Sequence, residues 1–174
     1  MRIILTSVLL LVFLILSCKK KETISANKNQ TTFNSQVISL DDIKALGVKE
    51  EPLDKMVKDS VFTHWKSYQE ILTQTTYVRQ ADLAFFESDL KGISELIKPF
   101  TDSIPNCFNT KGIASRSKAV ASYIYKMHST LKLKSLSKTE RLGVVKSYLE
   151  SVSNLNYQLN KKFEYDQYNV GLSD

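Results

Sequence analysis

The sequence predicts an all-α protein, built as an elongated antiparallel three-helix bundle with coiled-coil-like packing. Glycine and proline are scarce, with 5 Gly and 3 Pro in 174 residues, and this disfavours a turn-rich β fold. Three long segments repeat apolar residues at alternating spacings of three and four, which places those side chains on one face of a helix. Because an isolated amphipathic helix is only marginally stable in water, each apolar face is expected to pack against another helix.

The first long segment runs from Pro52 to Pro99 and contains two apolar series that are offset by one residue, with Arg79 at the crossover. A single helix of about 37 residues with a local stutter accounts for the offset. The alternative is a turn at Gln80–Asp82, which would give two helices and a four-helix bundle. The two series are Val61, Trp65, Tyr68, Leu72 and Thr75, then Leu83, Phe86, Leu90, Ile93 and Ile97.

Local signals predict where the helices begin. Ser39 is expected to cap a short helix that precedes the first long segment. Asn109 or Thr110 can cap the second long helix, which ends near Leu133. Ser137-Lys138-Thr139-Glu140 matches a capping box and predicts the start of the third. Because the second and third helices are joined by only a few residues, they are predicted to lie antiparallel.

The apolar face of the third helix contains one polar residue, Asn156. Its other members repeat at heptad spacing. A polar side chain in such a seam lowers stability but can fix the register of the helices. We therefore expect Asn156 to set register rather than to bind a ligand.

The N-terminus has the features of an export signal. Met1-Arg2 precedes an apolar run from Ile3 to Leu16, which as a helix would span about 21 Å, less than the roughly 30 Å of a bilayer core. This length is typical of the apolar region of a signal peptide. The run ends in Ile15-Leu16-Ser17-Cys18, which resembles the lipobox of bacterial prolipoproteins. The resemblance implies cleavage before Cys18 and diacylation of its thiol.

These features predict three parts: a signal peptide (1–17), a lipidated Cys18 with a disordered tether (18–38), and a helical bundle domain (39–174). The tether is polar and buries too little apolar surface to order itself. The resemblance implies a lipid-anchored protein of the bacterial cell envelope. In some bacteria an Asp directly after the lipidated Cys retains a lipoprotein in the inner membrane, and no Asp follows Cys18 here. We therefore expect the outer membrane, with the domain facing the periplasm or the cell surface. The helical region is similar to uncharacterised helical lipoproteins of bacteria, a likeness that implies no activity.

The positive charge is concentrated in one part of the chain. Residues 110–146 contain nine basic residues and one acid, whereas residues 40–102 contain twelve acids and eight bases. Either these regions pair their charges between helices, or a basic surface binds anionic lipid, an anionic envelope polymer or an acidic protein. Nucleic acid is not expected, because aromatic residues do not alternate with the lysines. The candidate contact residues are Lys111, Arg116, Lys118, Lys126, Lys132 and Lys134.

The sequence contains no recognisable catalytic, metal or nucleotide-binding motif, so a non-enzymatic binding role without a cofactor is expected. The alternative function is a carrier of haem or another small molecule between the helices, which would bring His64, His128, Met127 and Trp65 to one cavity. Cys107 is interpreted as a small buried apolar residue rather than a nucleophile, and an intermolecular disulfide is the alternative.

Overall fold

A computed structural model of the chain describes residues 36–170, apart from the side chain of Val170. Within this range the protein consists of α-helices and one short 3-10 helix, without β-strands, which confirms the all-α prediction. The predicted signal peptide, Cys18 and nearly all of the predicted tether lie outside the described residues. The helices are α1 (Leu40–Ala45), α2 (Lys55–His64), α3 (Lys66–Arg79), α4 (Ala84–Glu87), α5 (Leu90–Asp102), α6 (Lys111–Lys132) and α7 (Lys138–Val170), with the 3-10 turn at Asn106–Phe108.

The predicted continuous first helix is wrong, because this segment is divided into α2, α3, α4 and α5. α3 ends in a Schellman motif, in which the Asp82 N–H donates to the Tyr77 carbonyl and the Ala81 N–H to the Val78 carbonyl, each at 2.9 Å. Ala81 adopts a φ of 63°, in the left-handed region that usually takes glycine. The break therefore falls at the turn considered as the alternative. A second break, at Trp65, separates α2 from α3.

The helix starts predicted from the capping residues Ser39, Thr110 and Ser137 are confirmed. The Ser39 side chain accepts a hydrogen bond from the Asp42 N–H and caps α1. Thr110 caps α6 in the same way. At the start of α7, the Glu140 carboxylate accepts from the Ser137 N–H at 2.8 Å and the Glu140 N–H donates to the Ser137 hydroxyl at 3.3 Å. Each of these contacts gives a partner to a backbone N–H group near the helix start, where no carbonyl of the helix itself can accept its hydrogen bond.

Four helices form a closed set of packed neighbours: α3 contacts α5 and α7, and α6 contacts α5 and α7. Adjacent helices run in opposite directions. Trp65, at the start of α3, stacks on Phe100, near the end of α5, with ring centroids 5.3 Å apart. Tyr68, also at the start of α3, bonds Asn156 in the second half of α7. α6 and α7 make the most extensive contact, as their short connection predicts.

The core is rich in aromatic residues. Trp65, Tyr68 and Phe100 are almost completely buried and contact one another. Phe86 and Tyr148 form a second aromatic contact, with centroids 5.2 Å apart. Removing each such side chain from water contributes about 2–3 kcal/mol. No helix between residues 36 and 170 combines the length and apolar character needed to cross a membrane.

Candidate functional site

The predicted contact residues lie on α6 or in the loop that follows it. Lys111, Lys118, Lys126 and Lys132 are exposed and recur along one side of α6, within about a third of the helix circumference. We call these four residues the basic face. Lys111 and Lys132 are the first and last of the 22 residues of α6, so the basic face extends over about 32 Å. Lys134 in the following loop is also exposed.

Arg116 differs from the lysines of the basic face. Its side chain is half-buried, and its guanidinium donates to the Gly112 carbonyl at 3.2 Å. It lines a groove between α6 and α7 together with Glu150 and Asn154. Part of its charge is therefore used inside its own hairpin, and Arg116 is not a member of the basic face.

The charges of the basic face are not neutralised by neighbouring helices. Among residues 36–170, no ion pair involves a lysine of the basic face or Lys134. α6 itself contains no Asp or Glu. The predicted pairing between the acidic region (40–102) and the basic region (110–146) occurs at one position, where Asp42 contacts Lys138 at 2.5 Å. Within residues 36–170 it does not extend to the lysines of the basic face or to Lys134, which therefore form an exposed cationic surface.

A shallow groove lies beside the basic face, between α5 and α6, with a volume of about 590 Å³. Lys98 and Lys118 both line it, from α5 and α6 respectively. Tyr125, 39% exposed, adds an aromatic surface. The groove beside the basic face therefore presents Lys98, one acid, Asp102, and this aromatic ring.

A second candidate site begins with residues 47–54, a non-helical segment that we call the strap. Three side chains of α7 hold its backbone. Asn156 Nδ2 donates to the Glu51 carbonyl at 2.7 Å, and Asn160 Nδ2 donates to the carbonyl of residue 52 at 2.9 Å. Ser153 Oγ donates to the carbonyl of residue 49 at 3.2 Å. These contacts satisfy backbone groups that the strap, lacking secondary structure, cannot satisfy itself.

The strap, α2, α3 and α7 enclose a cleft of about 230 Å³. Thr75 and Asn156 line it, although both are more than nine-tenths buried. Arg79 and Lys58 supply positive charge at its border. The apolar lining consists of Leu53, Phe62, Leu72 and Val152. The cleft is therefore cationic on one side and apolar on others.

Two buried tyrosines lie behind the cleft and position its polar side chains. The Tyr148 hydroxyl is 2.7 Å from Thr75 Oγ1, and the Tyr68 hydroxyl donates to Asn156 Oδ1 at 2.6 Å. Burial raises the pKa of both tyrosines well above the ordinary value of 10.0. The hydroxyls therefore stay neutral and keep their protons for these contacts. Asn156 joins α3, α7 and the strap, a role consistent with the predicted setting of register.

Arg79 lines the cleft, and one of its donors contacts Glu50 without forming a hydrogen bond. Its Nε is buried and has no hydrogen-bond partner within the described part of the chain. The Glu50 carboxylate lies 3.5 Å from Nε, within ion-pair range but without hydrogen-bond geometry. The Glu50 side chain is 64% exposed, whereas that of Arg79 is 23% exposed. Arg79 Nε therefore has an ion-pair contact but no hydrogen bond, and an acceptor with better geometry than Glu50 would bind it more favourably.

The residues considered for haem binding line neither the cleft nor the two grooves described above. His128 is buried, and its Nδ1 is 3.1 Å from the Phe86 carbonyl oxygen. His64 is exposed at the end of α2, and Met127 and Trp65 belong to the core. Between residues 36 and 170, no group of three or more His, Cys, Asp or Glu side chains is arranged to hold a metal ion. These positions give the carrier hypothesis no support.

The interpretation of Cys107 as a buried residue is wrong, because its side chain is exposed. It lies in the 3-10 turn before α6. The neighbouring Phe108 occupies the core position instead and is only 3% exposed. Burying the larger aromatic side chain removes more apolar surface from water, which accounts for the orientation of the turn.

Comparisons of the chain with protein-family models, with curated proteins and with solved structures found no match. The two sites are therefore interpreted from their geometry and charge. The lysines of the basic face were among the candidate contact residues taken from the sequence, whereas the cleft was not predicted. The only sequence signals for the cleft were the polar Asn156 in an apolar seam and Arg79 at the offset between the two apolar series.

Proposed function

We propose that this protein is a lipid-anchored protein of the bacterial cell envelope, and that its basic face binds an anionic component of that envelope. The anchor is inferred from the lipobox resemblance at Cys18, and the outer membrane, with the domain facing the periplasm or the cell surface, is the proposed location. Binding rests on one observation: the lysines of the basic face are exposed and form no ion pair with the described residues 36–170, on a helix without acids.

The form of the basic face favours a partner with many separated negative charges. Each lysine is a hydrated point charge without the planar, two-pronged geometry of arginine. Four such charges in a row of about 32 Å suit an anionic polymer or a layer of lipid head groups better than one compact anion.

We further propose that α3, α5, α6 and α7 form a four-helix bundle, rather than the predicted three-helix bundle, and that this bundle holds α6 straight.

The test is the binding of the full-length protein in nonionic detergent to lipopolysaccharide and, separately, to mixed micelles of the same detergent with phosphatidylglycerol and phosphatidylcholine. The variant carries Lys118→Gln, Lys126→Gln and Lys132→Gln. A lysine near an anionic surface contributes about 1 kcal/mol, so three together contribute about 3 kcal/mol, or roughly a hundredfold in affinity. We expect a loss approaching this size, and we expect wild-type binding to weaken as salt is added.

A matched control removes the same charge elsewhere. Lys44, Lys55 and Lys91 are exposed and lie outside α6, so changing these three to Gln lowers the net charge equally. The control variant should keep most of its affinity for the same two probes. Equal losses in both variants would show a general effect of net charge and would refute a specific role for the basic face, as would binding that does not depend on salt.

The anchor is tested separately, by mass spectrometry of the native protein. We expect the chain to begin at Cys18 and to carry a diacyl modification on that residue. An unmodified Cys18, or a leader that is still attached, would refute the anchor and the envelope location. The in vitro measurements on the basic face would still stand, because they do not depend on where the protein is found.

A further inference from the structure

We propose that the cleft between the strap, α2, α3 and α7 binds a small organic carboxylate with a short apolar chain. The site involves no residue of α6 and goes beyond the proposed function of the basic face. It is carried by three features of the described residues: a cationic donor without a hydrogen bond, apolar walls, and a neighbouring acid that lies where a ligand would bind.

The charge of the cleft is suited to a carboxylate. Arg79 contributes a guanidinium whose buried Nε lacks a hydrogen-bond partner among residues 36–170. Guanidinium groups match the planar geometry of carboxylates and form strong charge-assisted hydrogen bonds with them. Lys58 adds a second positive charge at the border, with its Nζ 5.4 Å from the centre of the Phe62 ring.

The remaining lining sets the size and character of the ligand. A volume of about 230 Å³ corresponds to about eight water molecules, at roughly 30 Å³ each, which limits the ligand to a small molecule. Leu53, Leu72 and Phe62 offer apolar contact. Thr73 and Thr76 donate their hydroxyl protons to carbonyls of their own helix, so their oxygens can only accept. An inorganic phosphate would leave the apolar walls unused and would find too few donors.

Glu50 marks the position of the ligand carboxylate. Its own carboxylate approaches Arg79 Nε to 3.5 Å but remains 64% exposed, and it belongs to the strap rather than to a helix. An exposed pair of this kind is weak, at about 0.2–1 kcal/mol. An incoming carboxylate with better geometry would therefore displace Glu50, and Glu50 acts as a weak competitor built into the chain.

The scarcity of arginine provides a direct probe. The chain has arginine only at positions 2, 79, 116 and 141, so the side-chain Nε–H signals of the full-length protein, labelled with ¹⁵N-arginine in nonionic detergent, can be resolved. Titration with hexanoate or benzoate should shift the Arg79 signal in a saturable manner, while hexanamide and inorganic phosphate should not. An unchanged Arg79 signal with both carboxylates would overturn the proposal. An equal response to hexanamide or phosphate would overturn the assignment to carboxylates.

Variants separate binding from folding. Glu50→Gln removes the internal competitor at an exposed position and should tighten hexanoate binding about two- to fivefold. Arg79→Gln should weaken it at least about tenfold, measured by saturation transfer to the ligand, whereas Arg116→Gln, which removes the same charge outside the cleft, should leave it unchanged. Binding that Glu50→Gln weakens, or that Arg116→Gln weakens as much as Arg79→Gln, would refute the site. Either result would leave the basic face proposal intact, because the cleft shares no residue with it.

Discussion

Replacing Asn156 with Leu tests whether this polar residue joins α3, α7 and the strap. Asn156 is 6% exposed; it accepts a hydrogen bond from the Tyr68 hydroxyl at 2.6 Å and donates one to the Glu51 carbonyl at 2.7 Å. Leu has a similar size and fits the apolar face of α7, so the substitution removes both hydrogen bonds with little change in volume.

The cost is dominated by Tyr68. This residue is fully buried, and its hydroxyl would lose its acceptor, at about 1–3 kcal/mol. The Glu51 carbonyl belongs to a half-exposed residue and can bond water instead, so it adds little. Burial of the leucine side chain recovers a part of the loss. We expect Asn156→Leu to lower the free energy of unfolding by about 1–2 kcal/mol.

The assay is urea unfolding of the full-length protein, followed by far-UV circular dichroism. It compares three variants: Asn156→Leu, Tyr68→Phe and the double variant that carries both substitutions. The double variant leaves no buried hydroxyl without a partner, so its cost should be at least about 1 kcal/mol below the sum of the two single costs. Asn154→Leu is the matched control, because Asn154 is exposed on the same helix. Additive single costs, or an Asn156→Leu as mild as the control, would refute this reasoning.

Three further predictions concern backbone strain and pH. Ala81→Gly should raise the free energy of urea unfolding by up to about 1 kcal/mol, because glycine adopts a φ of 63° without the cost that a Cβ imposes; a decrease would mean that packing of the methyl group outweighs that cost. Hydrogen bonds from Lys138 and from the hydroxyl and N–H of Ser39 lower the Asp42 pKa from its ordinary 3.8 to about 2. Because this pKa is lower in the folded chain, the stabilisation is present above about pH 4 and is lost as the pH falls to 2. Asp42→Asn should flatten the stability profile in that range, and an unchanged profile would contradict this role of the Asp42 carboxylate. Burial raises the pKa of Tyr68 and Tyr148, so their neutral forms stabilise the fold below pH 10 and this contribution is lost above it. Their ionisation, followed by ultraviolet absorbance, should coincide with loss of helical circular dichroism; ionisation in a fully folded protein would show that they are accessible.

Features that depend on neighbouring residues were predictable from the sequence. The capping residues Ser39 and Ser137 act on amides three positions away, so the sequence pattern contains all the necessary information. The exposure of the basic face follows from the apolar stripe on the other side of α6. Whether its lysines are paired was not predictable, since pairing depends on which side chains the other helices place beside them.

The break after α3 shows how a local signal can be hidden. Helices commonly end with glycine in the left-handed conformation, and here that position is occupied by Ala81. The remaining signal was the one-residue offset at Arg79, which a stutter within a continuous helix explained equally well. The core contacts of α4 and α5, such as that between Phe86 and Tyr148, outweigh the preference of residues 80–82 to continue the helix.

The cleft could not be derived from the sequence, because its walls are about 100 positions apart and meet only through the fold. Antiparallel pairing places Gly112 at the start of α6 beside Gln158, so Asn160 lies in the part of α7 that extends past α6, whereas Asn156 lies before that point and contacts Tyr68 of α3. The polar side chains of Asn156 and Asn160 would be costly against another apolar helix. Against the strap, which lacks its own backbone pairing, they are satisfied. The polar residues of α7 and the irregular strap therefore require each other. A segment held through its backbone, rather than by close side-chain packing, leaves room beside α3, and this geometry accounts for the cleft at Arg79.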